Sequence, residues 1–399
     1  MKEGWKMVKL GDVCKIGMGK TPPRGENKYW DVEKTTGNIW VSIADMSKST
    51  SGYIYDSKEY ISIAGASLMS IIPKGTILLS FKLSLGKALI AGENLYTNEA
   101  IANLPLISKE IGKDYLLYYF QYFDWEKYAS GNEKVKGKTL NKKTLEILPV
   151  ICPPLEEQHR IVSILDATFE KIDKLKANAE ENLKNAKALF QQVLAQELKP
   201  KEGWVEKKLG EVCEISRGRS KHRPRNDKRL YGGNIPFIQT GDIRDACGGI
   251  ITTYKQTYSE LGLLQSRLWK KGTICITIAA NIGETAILGF DACFPDSVVG
   301  IYPNDNTLNY LYVNYYLNSI KSYIDNQAYG AAQKNINLVI IENLKISFPA
   351  NIEEQHRIVQ TLDTLSEKCR RLEQIAQQTI RECDALKQSI LRQAFSGEL

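Results

Sequence analysis

At 399 residues, the chain is longer than a single hydrophobic core usually supports, which indicates two or more domains. Hydrophobic residues make up 43% and charged residues 25%, an ordinary globular composition that excludes a largely disordered chain. The formal net charge of +7 permits an acidic partner such as nucleic acid without requiring one. The first residues lack the apolar core of a signal peptide, and no apolar run reaches the roughly 18 residues of a membrane span, so we expect a cytoplasmic protein with no membrane partner.

The sequence is one unit that occurs twice. Lys2-Glu3-Gly4-Trp5 and Leu10-Gly11 recur as Lys201-Glu202-Gly203-Trp204 and Leu209-Gly210. The segment Glu156-Glu157-Gln158-His159-Arg160 returns as Glu353-Glu354-Gln355-His356-Arg357, at an offset of 197 residues. We therefore predict a unit of about 198 residues used twice, each a globular part followed by a long helix.

Short apolar runs bounded by Gly, Pro, Asn and Ser dominate the first hundred residues of each globular part. They indicate strands most clearly at 77–81, 88–91 and 274–279. Helices rich in aromatic residues are predicted at 114–128 and 308–325, and strand-like pieces that end in proline at 147–154 and 344–349. These elements predict an α+β fold.

Two long helices are predicted at 155–198 and 352–399. Prolines 153, 154 and 349 prevent each helix from extending backwards, and paired glutamates favour the first turn. Apolar or small residues then recur at alternating spacings of four and three, which is typical of a helix that buries one narrow stripe against another helix. The ten seam positions of the first helix are Ile161, Leu165, Thr168, Ile172, Leu175, Ala179, Asn182, Ala186, Leu189 and Val193.

The seam of the second helix is its copy at the same offset. Its positions are Ile358, Leu362, Leu365, Cys369, Leu372, Ala376, Thr379, Cys383, Leu386 and Ile390. A heptad seam alone indicates only oligomerisation, but the copy makes the two helices of one chain the expected partners. We expect its polar or small residues to control the register of the pair, for example Thr168, Asn182 and Thr379.

The eight cysteines fit a reducing compartment. None is arranged as Cys-x-x-Cys, and Cys275, Cys369 and Cys383 fall at apolar positions of predicted elements. We expect reduced, buried, small hydrophobic side chains rather than disulfides or metal ligands.

Two further motifs suggest chemistry that their surroundings oppose. Gly19-Lys20-Thr21 lacks the earlier glycine of a phosphate-binding loop, since that position is Cys14, and prolines follow where a helix should begin. Glu156-x-x-His159 and its copy could contribute to a di-iron site, but they lie in the first turn of each helix and lack the further carboxylates. A surface turn and a helix-cap role are the favoured interpretations.

A basic cluster is the sharpest electrostatic feature, and it lies at the same place in both units. In the second unit it contains Arg217, Arg219, Lys221, Arg223, Arg225, Lys228 and Arg229, and in the first Lys20, Arg24 and Lys28. Basic loops on a rigid frame suit a phosphate backbone, although a charge run can also be only a solvated surface. Nearby polar residues could face base edges, namely Gln239, Thr240, Asp242 and Arg244, and Lys82 and Lys334 are added as candidate DNA contacts.

No catalytic site is predicted. The aromatic helices are expected in the domain cores rather than as stacking platforms. Cys152-Pro153-Pro154-Leu155 lacks the polar and aromatic residues of an Asn-Pro-Pro-Tyr methylation motif, there is no glycine-rich cofactor turn, and Pro295-Asp296 is not followed by the acid-x-lysine of a nuclease.

The whole chain resembles the specificity subunits of type I DNA restriction–modification systems. The resemblance rests on Pro-Pro-Leu-Glu-Glu-Gln-His-Arg-Ile at 153–161, its echo at 352–358, and the paired Gly-Trp and Leu-Gly segments at 4–11 and 203–210. The stretch Leu-Arg-Gln-Ala-Phe-Ser-Gly-Glu-Leu at 391–399 is also typical of that family.

The resemblance implies an architecture and a role. Target recognition domains would occupy 1–154 and 199–351, separated by an intramolecular antiparallel coiled coil of the helices at 155–198 and 352–399. The chain would not be an enzyme; it would deliver two methylation subunits, which bind S-adenosylmethionine, to a bipartite site in double-stranded DNA. A restriction–translocation subunit, which uses ATP with Mg, can join them, so no cofactor is expected in this chain.

Two consequences and one rival follow. The loops of the two repeats differ, for example at 19–31 and 217–230, so we expect two half-sites of different sequence. The helices would set the spacer between the half-sites. The rival hypothesis is a coiled-coil adaptor that binds protein partners without reading DNA.

Overall fold

The computed structural model of the chain describes residues 2–49, 52–82, 84–129, 140–279, 281–329 and 336–399. It divides into two compact units, which we call unit 1 (Met1–Ala179 with Gln378–Leu399) and unit 2 (Glu180–Gln377). The division falls inside both long helices. Each unit therefore contains one globular part together with a segment of each helix.

Unit 1 begins with ten short strands and five short helices. The strands are β1 (Lys6–Lys9), β2 (Gly17–Met18), β3 (Ile39–Val41), β4 (Tyr53–Ile54), β5 (Glu59–Tyr60), β6 (Ile77–Ser80), β7 (Ala88–Ala91), β8 (Tyr96–Thr97), β9 (Ile101–Leu104) and β10 (Pro149–Cys152). The helices are α1 (Leu10–Val13), α2 (Ile43–Lys48), α3 (Ile63–Ala66), α4 (Lys113–Tyr122), α5 (Lys142–Glu146) and the long α6 (Leu155–Glu197), which continues into unit 2.

Unit 2 repeats most of this order, with nine strands instead of ten and six short helices instead of five. Its strands are β11 (Trp204–Lys208), β12 (Cys213–Arg217), β13 (Tyr231–Phe237), β14 (Ile250–Ile251), β15 (Gln256–Tyr258), β16 (Ile274–Thr277), β17 (Thr285–Leu288), β18 (Val298–Pro303) and β19 (Lys345–Pro349). Its helices are α7 (Leu209–Val212), α8 (Thr240–Asp245), α9 (Glu260–Leu264), α10 (Tyr310–Ser319), α11 (Lys321–Tyr329), α12 (Leu338–Glu342) and the long α13 (Ile352–Ser396), whose end belongs to unit 1.

A five-stranded mixed sheet supports each globular part. The order is β2-β9-β6-β7-β4 in unit 1 and β12-β18-β16-β17-β14 in unit 2. The central strands β6 and β16 are buried along their whole length, which explains their continuous apolar sequences. β4 and β14 pair in parallel with β7 and β17, and the other pairs are antiparallel. The predicted α+β fold and its internal repeat are confirmed.

The aromatic helices are core elements, as predicted. On α4, Tyr115, Tyr119 and Phe120 are buried, and the ring of Phe395 on α13 packs 5.4 Å from Tyr115 and 5.3 Å from Tyr119 between centroids. In unit 2, Tyr312 on α10 is buried in the corresponding core. Each globular core is therefore continuous with the long helices.

The long helices pair antiparallel. Within unit 1, Asp173 bonds Lys387 at 2.5 Å, while Lys176, one turn further along α6, bonds Asp384, one turn back along α13, at 2.7 Å. Within unit 2, Leu194 near the end of α6 shares a buried cluster with Ile358 and Leu362 near the start of α13. The helices observed at Leu155–Glu197 and Ile352–Ser396 match the predicted ones closely.

Only half of the predicted seam is buried, so the prediction that all of its positions face the partner helix is wrong. The buried positions are Ile161, Leu165, Ile172, Ala179 and Ala186 on α6, and Ile358, Leu362, Cys369, Ala376 and Cys383 on α13. From Leu165 and Leu362 onward they recur every seven residues and are mostly small. The intervening leucines, Leu175, Leu189, Leu372 and Leu386, are about half exposed. Small side chains allow a close approach of the two helices, so the larger residues lie beside the contact. Asn182 is exposed too, so it does not control register from inside the contact.

A buried glutamine joins each globular part to its own long helix. Gln158 Nε2 donates to the carbonyl oxygens of Glu110 and Pro153 at 2.8 and 2.7 Å, and its Oε1 accepts from the amide of Gly112 at 2.8 Å. Its copy Gln355 makes the corresponding three bonds in unit 2. Both amides are 0% exposed and fully bonded. This explains the Glu-Glu-Gln-His motif as a structural joint.

His159 and His356 are exposed, and no group of three or more His, Cys, Asp or Glu residues among the described ones could hold a metal ion. Seven cysteines are buried as predicted, whereas Cys247 is exposed, which corrects the expectation for that residue. Within the described ranges, no helix combines the length and the apolar character needed to cross a membrane.

Candidate nucleic-acid interface

The basic loop of unit 2, residues 217–230, leaves the main sheet at the end of β12. Gly218 passes close to the backbone of Phe294 and Pro295. A Cβ at Gly218 would lie 2.3 Å from the carbonyl oxygen of Phe294 and 2.4 Å from that of Pro295. The loop then ends in a 3₁₀ turn at Lys228–Leu230 that leads into β13. The glycine thus sets the path by which the loop reaches the surface.

Four of the loop arginines already have partners. Arg225 Nη2 donates to both carboxylate oxygens of Asp296, at 2.7 and 3.0 Å, and Arg229 pairs with Asp227 at 2.7 Å. Arg223 donates to two carbonyl oxygens of its own loop, at 2.6 and 2.9 Å, and Arg217 donates to that of Ile336 at 3.3 Å. These arginines therefore shape the loop, and two of them have their charge balanced by an acid.

Asp227 is the anchor of the loop. Its carboxylate accepts from the Arg229 side chain and amide and lies 2.9 Å from His222 Nε2. Hydrogen bonds from Arg229, with a further one from His222, hold the pKa of Asp227 well below its usual range. The carboxylate stays ionised, so it holds the turn while cancelling part of the cluster's positive charge.

Three cations of the loop remain available for a ligand. Arg219, Lys221 and Lys228 are exposed, and within the described ranges none of them forms an ion pair. Exposed cations on a loop shaped by internal bonds provide fixed positive charge for phosphate oxygens. Lys228 belonged to the predicted cluster but not to the predicted contacts, and the structure makes it a better candidate than Arg225 or Arg229.

The polar candidates lie at the other end of β13 from the loop. Gln239 is exposed and donates from Nε2 to Gln256 at 2.6 Å, Thr240 is half-buried at the start of α8, and Arg244 is exposed beside Asp245. Asp242 is buried and accepts from the Gln239 amide at 2.9 Å. It caps α8 and cannot face a base edge, which corrects that expectation.

The first loop, in unit 1, has its cations more fully engaged. Arg24 pairs with Glu59 and stacks over the rings of Trp30 and Trp40, 4.3 and 4.7 Å from their centroids. Lys28 pairs with Glu26 at 2.7 Å, and Lys20 donates to the Leu68 carbonyl oxygen at 3.4 Å. The two loops therefore present different charge patterns.

Lys82 and Lys334 complete the predicted contacts. Lys82 is half-buried, 5.5 Å from the centroid of the Phe81 ring. It lies near Glu99, whose pKa is lowered first by the Thr21 hydroxyl and further by Lys82 and Arg24. Lys334 lies outside the described residues.

Sequence reasoning missed the acids that neutralise the cluster. Asp296 is far from Arg225 along the chain, and Glu59 is far from Arg24, so no local pattern indicates either pair. The glycines that begin each loop carried a weak signal, since Gly19 and Gly218 follow strands at matching positions and both pack against backbone carbonyls.

A sequence model described as "Type I restriction modification DNA specificity domain" matches the chain twice, at residues 2–185 and 201–382. Two relatives come from Methanocaldococcus jannaschii. The chain is 26% identical to the type I restriction enzyme MjaIX specificity subunit over 65% of its own length and 62% of that protein's. It is 25% identical to the putative type I restriction enzyme MjaX specificity subunit over 100% of its own length and 94% of that protein's.

Solved structures show the same fold. A chain from work on the complex assembly and conformational transition of the type I R-M system superposes with a TM-score of 0.80 at 22% identity, covering 100% of this chain and 99% of that one. The HsdS subunit from Thermoanaerobacter tengcongensis superposes with a TM-score of 0.56 at 23% identity, covering 100% and 98%. With one family match in each structural repeat, the chain belongs to the family of type I restriction modification DNA specificity domains.

Proposed function

We propose that this chain is the DNA specificity subunit of a type I restriction–modification complex. Each globular part would read one half of a bipartite, asymmetric target in duplex DNA. The observation that carries this proposal is the double family match, which coincides with two repeats that each carry a basic loop on the main sheet. The differing charge patterns of the loops support two half-sites of different sequence.

We propose the functional parts as 1–154 and 199–351 for target recognition, and 155–198 and 352–399 for the spacer. The boundaries are supported by the helix bounds and by the buried glutamines, which join each globular part to the first turns of its helix. A helix of 43 residues is about 65 Å long. The antiparallel pair is therefore suited to act as a ruler between two half-sites.

The long helices would also dock two copies of the methylation subunit. In unit 1, Leu175 and Leu386 leave apolar surface beside the helix contact, and in unit 2 Leu189 and Leu372 do the same. Apolar surface that is contiguous along a helix pair suits the packing of a partner protein. A restriction–translocation subunit would bind to the complex of this chain with the methylation subunits. The catalytic work, with S-adenosylmethionine and with ATP and Mg, would belong to those partners.

The cytoplasmic location predicted from the sequence follows from this role, because the duplex DNA and the partner subunits would be found there. The chain would contribute recognition and no chemistry of its own. Incubation of the isolated chain with DNA and methyl donor should give no methylated product, and reproducible methylation would overturn this part of the proposal.

Salt-dependent DNA binding tests the proposal. The complex with its methylation subunit is titrated with duplexes at several salt concentrations, for the wild type and for a variant with Arg219→Ala, Lys221→Ala and Lys228→Ala. Each lost phosphate contact should reduce the slope of log affinity against log salt by about 0.9. A variant with Lys207→Ala, Lys270→Ala and Lys271→Ala removes the same charge from exposed lysines of unit 2 that lie outside both the loop and the long helices, and it should keep the slope.

The outcomes separate DNA reading from the adaptor hypothesis. If the assembled complex binds no duplex DNA, the chain is an adaptor and the proposal is wrong. If binding persists and the loop variant keeps the wild-type slope, the loop is a solvated surface and DNA is bound elsewhere. Methylome sequencing of cells that carry the chain and its methylation partner would then identify the two half-sites.

A further inference from the structure

The short helix α9 in unit 2 carries exposed aliphatic side chains beside the basic loop. Leu264 is 84% exposed, and Leu261 lies three residues earlier on the same helix face and is also exposed. Leu268 follows the last turn and is exposed as well. The opposite side of α9 is buried, since Gly262 packs against the carbonyl oxygen of Leu230. We call Leu261, Leu264 and Leu268 the aliphatic face.

Hydrogen bonds tie α9 to the basic loop along its length. The Ser259 hydroxyl caps α9 by accepting from the Gly262 amide, and it donates to the carbonyl oxygen of Arg229 at 2.6 Å. At the other end, Gln265 Oε1 accepts from the His222 amide at 3.1 Å. The Ser266 hydroxyl donates to the Arg219 carbonyl oxygen at 2.9 Å. These bonds hold the end of α9 that carries Leu264 against the loop segment that carries Arg219 and Lys221.

The same arrangement occurs independently in unit 1. Ser62 caps α3 by accepting from the Gly65 amide and donates to the carbonyl oxygen of Lys28 at 2.6 Å, in the first basic loop. Ile63 on that helix is 78% exposed, and Ile71, which matches Leu268 in the repeat, is also exposed. Both units therefore expose aliphatic residues beside a basic loop, but at different positions of the short helix.

Water-exposed leucines next to unpaired cations match the chemistry of one ligand surface in particular. The major groove of duplex DNA exposes the C5 methyl group of thymine beneath two rows of phosphates, and aliphatic side chains distinguish thymine by contact with that methyl. A protein partner fits less well, because lysine is depleted in protein interfaces and the exposed Lys221 lies in the same loop.

We propose that the aliphatic face of α9, through Leu264, contacts a thymine methyl group in the half-site read by unit 2. The inference rests on the proposed function and adds to it a specificity-determining residue. The cations of the loop hold the phosphate backbone of the duplex in position, and Leu264 excludes water from the C5 methyl group of one thymine. The different positions of Ile63 and Leu264 on their helices give the two units different readings.

Removal of single methyl groups from the DNA tests this proposal. Once methylome sequencing has identified the target, each thymine in turn is replaced by deoxyuridine, which keeps the base pair and lacks only the C5 methyl. Affinities are measured for the assembled complex with wild-type chain, Leu264→Ala and Ile250→Ala, the last being an exposed aliphatic residue of unit 2 outside the face. A triple variant, Leu261→Ala with Leu264→Ala and Leu268→Ala, guards against a neighbouring leucine taking over the contact.

For the wild type, deoxyuridine at one position of one half-site should weaken binding about fourfold, the equivalent of burying one methyl group. Leu264→Ala should bind thymine and deoxyuridine equally at that position, and Ile250→Ala should keep the wild-type ratio. A wild-type complex that binds no specific duplex contradicts the proposed function itself. Where specific binding is intact, three outcomes would overturn the inference. The single and triple variants could keep the wild-type ratio of thymine to deoxyuridine affinity, or the wild type could show no deoxyuridine effect. The variants could also lose only the methylation subunit.

Discussion

The buried glutamine of unit 2 offers a sharp test of how a globular part is fixed to its helix. Gln355 Nε2 donates to the carbonyl oxygens of Thr307 and Pro349, both at 2.9 Å, and its Oε1 accepts from the Asn309 amide at 2.9 Å. The side chain is 0% exposed. Gln355→Ala would remove these bonds from the amide of the half-buried Asn309 and from two carbonyl oxygens, those of the buried Pro349 and of the exposed Thr307.

The loss can be estimated from these three groups. A buried polar group left without its partner costs about 1–3 kcal/mol. Because only the Pro349 carbonyl oxygen is in a fully buried bond and water can reach the other two groups, we expect a total loss of about 2–4 kcal/mol from the free energy of unfolding of unit 2. For a unit of roughly 200 residues this lowers the midpoint of thermal unfolding by about 10 °C.

Calorimetry and hydrogen exchange would measure the effect. Gln360→Ala removes an exposed glutamine from the same helix and should change stability by less than about 0.5 kcal/mol. In Gln355→Ala the amide of Asn309 should exchange much faster, while the strands of unit 1 keep their protection. A loss below about 1 kcal/mol, or an unchanged exchange rate at Asn309, would refute the reasoning, because water would then replace the side-chain amide without cost.

Three further predictions concern the ion pairs, the loop and the spacer. Arg160 and Lys2 lower the pKa of Glu157 from 4.5 to about 2, so its pairing stabilises the folded chain above pH 4.5 and this stabilisation is lost as the pH falls toward 2. Glu157→Gln should therefore flatten the fall in unfolding temperature between pH 4.5 and pH 2. An unchanged profile would contradict the stabilising role of this carboxylate. Gly218→Val should displace the basic loop and weaken DNA binding at least tenfold in a gel-shift assay. Gly241→Ala, which has open space at its Cβ, should bind normally. Equal binding by both variants would mean that the close approach of Gly218 to Phe294 and Pro295 does not position the loop. Removing one heptad from both α6 and α13 shortens them by about 10 Å, so methylome sequencing should find the same half-sites with a spacer about three base pairs shorter, and an unchanged spacer would exclude the ruler.

Much of the architecture could be predicted from local sequence. The repeat is recognised by direct comparison of its two copies. The apolar runs of β6 and β16 and the prolines before each long helix act on the backbone over short distances. They therefore indicated the fold class and helix bounds to within a few residues. The burial of the aromatic helices followed from the same pattern of large apolar side chains.

The candidate site was predictable as a location but not in its chemistry. The cluster at 217–230 could be found because its cations are neighbours in the sequence. Which of them are available depends on Asp296, which the sheet brings to Arg225 from a distant strand end, and on carbonyl oxygens that only the folded loop presents to Arg223. A charge count cannot distinguish a paired arginine from an unpaired one.

The sequence by itself determined that this protein consists of two repeats, each a mixed α/β part followed by a heptad helix, because periodicity, turn residues and prolines act locally on the backbone. Only the tertiary structure decided which half of the seam is buried. The line through Ala179 and Ala186 allows close helix packing, and this leaves Leu175 and Leu189 at the surface, although all four fit the same heptad pattern. It also decided which cations are available, because pairing depends on distances between residues far apart in the chain.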